Sequence, residues 1–152
     1  MKMIENQLLP DLTGNASCAN VLYLTLKKKW FDMILTGGKK EEYREIKKYW
    51  FKRLVYQPEL VFKYCTGYDL EEGLFLSEGL DHIARNKASM VGFRPFDFVC
   101  FRNGYHKDAP EMWFGCDGIR IGEAKPEWSD NAKGNFFIIE LGQILAFPVE
   151  LR

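Results

Sequence analysis

The order of apolar and polar residues in the first third of the chain changes period twice. Residues 20–26, NVLYLTL, alternate in side-chain type and include β-branched residues, which predicts a strand. The next residues have apolar pairs four positions apart, which predicts a helix over 28–36 packed by Trp30, Phe31, Ile34 and Leu35. Gly37 and Gly38 follow at the place where a helix end favours a positive φ. The chain therefore begins its ordered part with a strand and a helix.

A second helix is predicted over residues 46–55, before Pro58, which we take as its end. Its apolar stripe is expected at Ile46, Tyr49, Trp50, Arg53 and Leu54. Residues 60–65, LVFKYC, fit either a strand or more helix, and residues 69–88 form a weak helical pattern broken by glycines. We therefore expect residues 57–94 to be a variable, partly helical insertion.

Strands dominate the remaining pattern. We expect them over residues 21–26, 40–45, 96–102, 112–122 and 136–142. Glycines within the fourth of these suggest a bulge or a barrel bend. Strands without a regular alternation with helices favour a small barrel or a sandwich. We predict one domain over residues 21–145, with a flexible N-terminal arm at 1–20 and a tail at 146–152.

Composition narrows the class of protein. Hydrophobic residues make up 47% and charged residues 28% of the 152, values typical of a globular domain. No apolar run approaches the ~20 residues of a membrane helix, and the N-terminus lacks the pattern of a secretory signal. The four cysteines are widely spaced, so we expect no metal, no cofactor and free buried thiols in a reducing cytoplasm.

Charge is unevenly distributed although the formal net charge is zero. Residues 27–53 contain ten Lys or Arg and four acids, which gives this segment +6 and the remainder −6. A local basic patch on a neutral protein can attract phosphates. Alternatively, the lysines lie on the solvated faces of two helices and bind no ligand, which would give the segment the same net charge.

Five of the six residues at 39–44, KKEEYR, are charged, and we call these six residues the charged segment. In a strand, Glu42 and Arg44 point to the same face and can pair, while Lys39 lies at the preceding turn. Such a pair on an exposed strand contributes only about 0–1 kcal/mol. Alternatively, Glu42 accepts hydrogen bonds from a base edge while Lys39 and Arg44 hold a phosphate or oxyanion. Both interpretations fit the residues alone.

Three separate pieces of the sequence resemble one family. WFDMILTGGKKEEYRE is similar to the signature of the ASCH domain, in the PUA-like group of β-barrels, and the phage-type branch resembles it best. Residues 101–105, FRNGY, together with Ala109, Pro110 and Met112, match the same pattern. Residues 121–128, IGEAKPEW, match it as well. The resemblance spans roughly residues 21–145 and is least in 57–94. It implies a PUA-like α+β barrel of about five to six mostly antiparallel strands, with two helices near the N-terminal third.

The resemblance also implies a function. It predicts that the chain binds RNA or a modified nucleotide in a cleft lined by Lys39, Glu42 and Arg44. The alternative is a hydrolase of a modified nucleoside, amidohydrolase-like, or a ribonuclease, with Lys39 and Glu42 reactive. The amidohydrolase motif has a Thr where this chain has Glu42, and its distant Glu has candidates in Glu123 and Glu127.

Other predicted ligand contacts lie outside the charged segment. Arg102, Asn103 and Tyr105, at a strand end and turn, suit a nucleobase or single-stranded RNA, although Asn-Gly also serves as a plain turn. Lys47 and Lys48 lie off the apolar stripe and are expected to meet phosphates. Trp30 and Tyr43 are expected in the core.

Overall fold

The computed structural model describes residues 19–147, so the predicted arm and tail lie almost wholly outside the described residues. Within that range the chain forms five strands and four α-helices, which confirms the predicted α+β class. None of these helices is long and apolar enough to cross a membrane.

All five predicted strands are present. They are β1 Val21–Leu26, β2 Glu41–Glu45, β3 Phe98–Asn103, β4 Glu111–Glu123 and β5 Asn135–Ala146. They form one sheet in the order β1-β3-β4-β5-β2. β3 is antiparallel to β4, but β1 pairs with β3 in parallel, with Val21 opposite Phe98.

The helices occupy the first two thirds of the chain. They are α1 Lys28–Leu35, α2 Lys48–Leu54, α3 Pro58–Thr66 and α4 Leu76–Asn86. Short 3₁₀ turns cover Leu70–Glu72, Ala88–Met90 and Pro126–Trp128. Helix α1 buries Trp30, Phe31 and Ile34 as predicted, and it packs against β1 and β3. The predicted insertion at 57–94 is therefore largely helical.

The stripe predicted for the second helix was correct at Leu54, which is buried, but wrong at Tyr49. Helix α2 starts at Lys48 instead of residue 46, and it buries Phe51 and Leu54. Tyr49 is 65% exposed instead of facing the core. Three consecutive aromatic residues, 49–51, leave the period ambiguous, so the starting residue decides which ring is buried.

Pro58 begins a helix instead of only ending one. It occupies the first turn of α3, where a missing N–H and a fixed φ are favourable. Residues 60–65, which fitted either element, belong to this helix. Helix α2 ends earlier, at Leu54, and Val55 is extended and bridges Phe93.

The described residues group into two compact units, while the prediction of one domain over 21–145 stays a prediction. The first unit comprises residues 19–41, 95–118 and 140–147, and the second comprises 42–94 and 119–139. In the first, α1 and the inward residues of β1 and β3 form the apolar interior, including Leu22, Phe31, Ile34, Val99 and Phe101. In the second, Phe51 contacts Phe62 and Phe137 through their rings.

Candidate functional site

The end of α1 fixes the backbone of Lys39. Gly37 takes φ +86°, a left-handed conformation that favours glycine and that turns the chain back on the helix. The amides of Gly38 and Lys39 then both donate to the Met33 carbonyl, at 2.8 and 3.1 Å. Lys39 is therefore held by the helix end before β2 begins.

The side chain of Lys39 is buried in the first unit. The residue is 2% exposed, and its Nζ lies 4.5 Å from the centroid of the Trp30 ring. The Nζ of the exposed Lys29 lies 4.3 Å from the same centroid. An ammonium over an indole gains ~0.5–2 kcal/mol. The ring thus offsets part of the cost of burying the Lys39 charge.

Lys39 also lines a cavity within the first unit. The cavity has a volume of about 370 Å³, within the size range of small-ligand pockets. Its apolar wall includes Ile34, Phe114 and Ile144, and its charged lining residues are Lys39, Lys40 and Asp117. An apolar wall with a few charged groups suits a small ligand that has a flat or aliphatic body and polar substituents.

Glu42 is the corresponding buried charge of the second unit. It is 4% exposed, and both of its carboxylate oxygens accept hydrogen bonds. Oε1 accepts from the Tyr43 amide at 3.1 Å, and Oε2 accepts from Arg44 Nη1 at 2.7 Å. The predicted pair between Glu42 and Arg44 is thus present, but it is buried instead of exposed.

Arg44 is held from three directions. Besides Glu42, its Nη1 donates to the Tyr43 carbonyl at 2.8 Å. Its guanidinium carbon lies 5.1 Å from the centroid of Trp50, a contact that the sequence does not indicate because the pattern places Trp50 on an apolar stripe. A guanidinium held by several contacts has a fixed orientation.

Tyr43 is buried, as expected, in an apolar cluster of the second unit. The cluster contains Ala124, Phe136 and Ile138, with Trp128 packed against it. The Tyr43 hydroxyl accepts a hydrogen bond from the Lys125 amide at 3.2 Å. Trp128 therefore covers part of this cluster, and its packing holds the loop that follows β4 beside β2.

The other predicted contacts are placed differently. Arg102 donates from Nη2 to the carbonyls of His106 and Lys107, both at 3.0 Å, and so it holds the turn after β3. Tyr105 in that turn is 89% exposed. Asn103, partly buried, closes the turn through its amide to the Pro110 carbonyl. The ligand roles of these residues stay predictions.

The lysines predicted to meet phosphates have carboxylate partners. Lys47 Nζ lies 3.2 Å from Glu45 Oε1, and Lys48 Nζ lies 3.5 Å from Glu71 Oε2. These are surface pairs, which phosphates can displace at little cost. Glu123 and Glu127, the candidates for a distant catalytic Glu, are both exposed.

Three cysteines within the described residues are free thiols: Cys65, Cys100 and Cys116; Cys18 lies outside them. Burial is the main cause that raises the pKa of each thiol. Cys100 is fully buried, and nearby Glu111 raises its pKa further. A protonated thiol is a poor nucleophile, so these cysteines are structural in character.

No group of three or more His, Cys, Asp or Glu side chains comes together as a metal site among residues 19–147. Comparison with known proteins does not indicate a function, since no family model, no curated protein and no solved structure matches this chain. The assignment of a function therefore depends on the geometry of the charged segment.

Proposed function

We propose that this protein binds a nucleotide, free or within RNA, through Lys39, Glu42 and Arg44. One observation carries the proposal: Lys39 and Glu42 are the two charged residues that are buried among the residues whose burial the structure describes. Both belong to the charged segment, residues 39–44, and another of its five charged residues, Arg44, has a side chain that is only 16% exposed.

Burial of these charges is costly for the fold. Transfer of an ion from water into a protein interior costs several kcal/mol even after relaxation. Lys and Glu are almost never fully buried unless they are paired, and apolar residues of similar volume would serve the fold as well or better. Both residues have partners within the fold, so their burial is tolerated, but two charges three positions apart in the interior favour a role besides stability. We propose that this role is ligand binding.

The three side chains are complementary to the parts of a nucleotide. An ammonium suits a phosphate or an oxyanion, and a carboxylate accepts from the amino group of a base. The cavity beside Lys39 has room for a small ring system and an apolar wall to cover it. The resemblance to the ASCH domain and its PUA-like barrel, which predicts the same ligands for the same residues, supports the proposal.

Glu42 is better suited to recognition than to proton transfer. Both of its oxygens already accept a hydrogen bond, one from the Tyr43 amide and one from the Arg44 guanidinium. A general base must instead reach the proton that it abstracts, in a plausible substrate pose. We therefore favour binding over hydrolysis, and we keep turnover of acylated nucleosides as a separate assay.

The test measures binding of nucleoside monophosphates and of a short single-stranded RNA by calorimetry. The variants are Lys39→Met, which keeps the apolar stem, and Glu42→Gln, which keeps one acceptor. We expect either to weaken binding by a few kcal/mol, roughly 2–5, because each removes a charged partner of a desolvated ligand. Lys63→Met, at an exposed lysine outside residues 27–53, is the matched control.

Thermal melts of the same variants separate lost binding from lost folding. If folded Lys39→Met and Glu42→Gln proteins bind every nucleotide as the wild type does, the proposal is wrong. Hydrolysis of an acylated nucleoside that Glu42→Gln abolishes would instead assign an enzyme to the same residues.

A further inference from the structure

The cavity beside Lys39 has charges of opposite sign in its lining. Lys39 and Lys40 come immediately before β2, whereas Asp117 contributes a carboxylate from the middle of β4. The lining also includes Gly142 of β5, and β5 lies between β4 and β2 in the sheet. The cavity is therefore lined by lysines on one side of β5 and by a carboxylate on the other.

The sheet sets the distance between the backbones that carry these charges. The Leu141 amide donates to the Lys40 carbonyl at 3.1 Å, so residue 40 lies beside β5 next to Gly142. Asp117 reaches Gly142 from the β4 side. Neighbouring strands lie ~4.8 Å apart, which places the backbones of residues 40 and 117 roughly 10 Å from each other. The phosphate of a nucleotide and the outer edge of its base are separated by a comparable distance.

Glycine at position 142 makes room for the Asp117 carboxylate. A Cβ at this position would lie 2.6 Å from Asp117 Oδ1 and 3.2 Å from Asp117 Cγ. Contact distances between unbonded atoms are normally ~3.5 Å or more, so any larger residue would push the carboxylate away from β5. A glycine inside a strand often marks a close approach of this kind. The carboxylate is thus seated against β5 in the lining of the cavity.

The wall between the two charged sides is apolar and includes Ile34, Phe114 and Ile144. Such a wall covers the flat body of a base, while an ammonium suits its phosphate. A carboxylate accepts hydrogen bonds and donates none. It therefore pairs with the amino group of a base and repels a carbonyl oxygen at the same place.

We infer that Asp117 selects nucleotides whose base has an exocyclic amino group, such as cytosine and adenine. Uracil and hypoxanthine have an oxygen at the corresponding position and are bound more weakly. The inference rests on the proposed function, because it takes a nucleotide to be the ligand of Lys39. It adds a residue outside the charged segment that determines which nucleotide is bound.

The test is calorimetry of the full chain with two matched pairs of nucleotides. The pairs are cytidine with uridine monophosphate and adenosine with inosine monophosphate, and in each the amino group of one member is an oxygen in the other. The wild type is expected to bind the amino member of at least one pair roughly ten- to a hundred-fold more tightly, as one specific base contact supplies.

Two variants assign this preference to the carboxylate. Asp117→Asn keeps the size of the side chain but adds a donor, so the preference should be lost. Gly142→Ala keeps the charge but displaces the carboxylate, and it should reduce the preference as well. Asp69→Asn, at an exposed aspartate that is not in the cavity lining, is the matched control and should leave the preference unchanged.

Asp117 is exposed, so the melting temperature of Asp117→Asn should stay within a few degrees of the wild type. Equal affinity of the wild type for both members of each pair overturns the inference and leaves nucleotide binding intact. A preference that Asp117→Asn retains in full overturns it as well. If no nucleotide binds the wild type, the proposed function fails and the inference fails with it.

Discussion

Lys39 and Glu42 are buried for different local reasons. Lys39 follows a glycine turn that brings its stem against Trp30, whereas Glu42 lies in a strand where the neighbouring residue, Tyr43, is buried as well. Consecutive strand residues point to opposite faces, so β2 is covered on both sides at this point. A charge in such a strand affects stability as well as ligand binding.

Removal of the Glu42 carboxylate should destabilise the protein more than a surface pair would. Glu42→Ala leaves the Tyr43 amide and the Arg44 guanidinium without this acceptor, and we expect a loss of about 1–3 kcal/mol in the free energy of unfolding. Glu42→Gln keeps an oxygen for one of the two donors and should cost less. Urea unfolding of both variants measures the difference, and an Ala variant as stable as the wild type would contradict it.

The buried thiol of Cys100 predicts an alkaline limit to stability. Its pKa in the folded protein is raised by burial and by Glu111, so the folded state keeps a proton that the unfolded state releases above pH ~8.5. The stabilising contribution is therefore complete below pH ~8.5 and is lost as pH rises, by at most about 1.4 kcal/mol per pH unit for one thiol.

Urea unfolding from pH 7 to pH 10.5 tests this expectation by comparison of wild type with Cys100→Ala. The variant should be less stable at pH 7, because it leaves a small cavity, but its stability should fall less steeply with pH. Cys65→Ala, at a partly exposed thiol, is the control. Parallel curves for wild type and Cys100→Ala would show that this thiol does not titrate as proposed.

At the scale of elements, the turn between α1 and β2 connects the fold to the candidate site. Gly37 adopts φ +86° and has open space around it, so the cost of a methyl group at this position is backbone strain and not a steric clash. Gly37→Ala should cost about 1 kcal/mol in stability and should also weaken nucleotide binding, because the turn positions Lys39.

Gly92 provides the matched comparison for that turn. It also has open space around it but no positive φ, so Gly92→Ala should be neutral or slightly stabilising. Denaturant unfolding and calorimetry on the two variants measure both effects. Equal stability of the two variants would mean that the left-handed turn carries no strain, and unchanged binding by Gly37→Ala would separate the turn from the ligand.

The elements that sequence could predict are those specified by local pattern. All five strands and α1 follow from alternation or from pairs at i,i+4, and their observed ranges differ by only a few residues, except at the end of β5. Helix α3 was ambiguous because a proline can end one helix or begin the next. The sequence identifies Lys39, Glu42 and Arg44 as a cluster of charged residues. It does not predict that Glu42 is buried, because that burial depends on strands that are distant in the sequence.

At the scale of the whole molecule, the uneven charge makes the ionic strength a direct probe of the ligand. If polymeric RNA binds through the +6 segment, its affinity should fall as salt rises, because phosphate contacts release counterions. Lys47→Glu should weaken RNA binding further with little change in melting temperature, since its partner Glu45 is a surface residue. Lys63→Glu is the control, because Lys63 is likewise exposed and paired with a carboxylate, Asp69, but lies outside the segment.

Binding measured by fluorescence anisotropy from 50 to 300 mM salt distinguishes the two kinds of ligand. An RNA affinity that is insensitive to salt would exclude binding through phosphates. Absence of RNA binding together with tight binding of a mononucleotide would restrict the ligand to a small molecule.

The parallel pairing of β1 with β3 has a consequence for synthesis on the ribosome. Val21 pairs with Phe98, so β1 has no partner strand until 77 further residues have been added to the chain. At roughly 5–20 residues per second this delay is about 4–15 s. During that time the edge of β1 that pairs with β3 in the finished protein has no hydrogen-bonding partner. Nascent chains that stop before residue 98 would therefore be natural clients for chaperones and proteases.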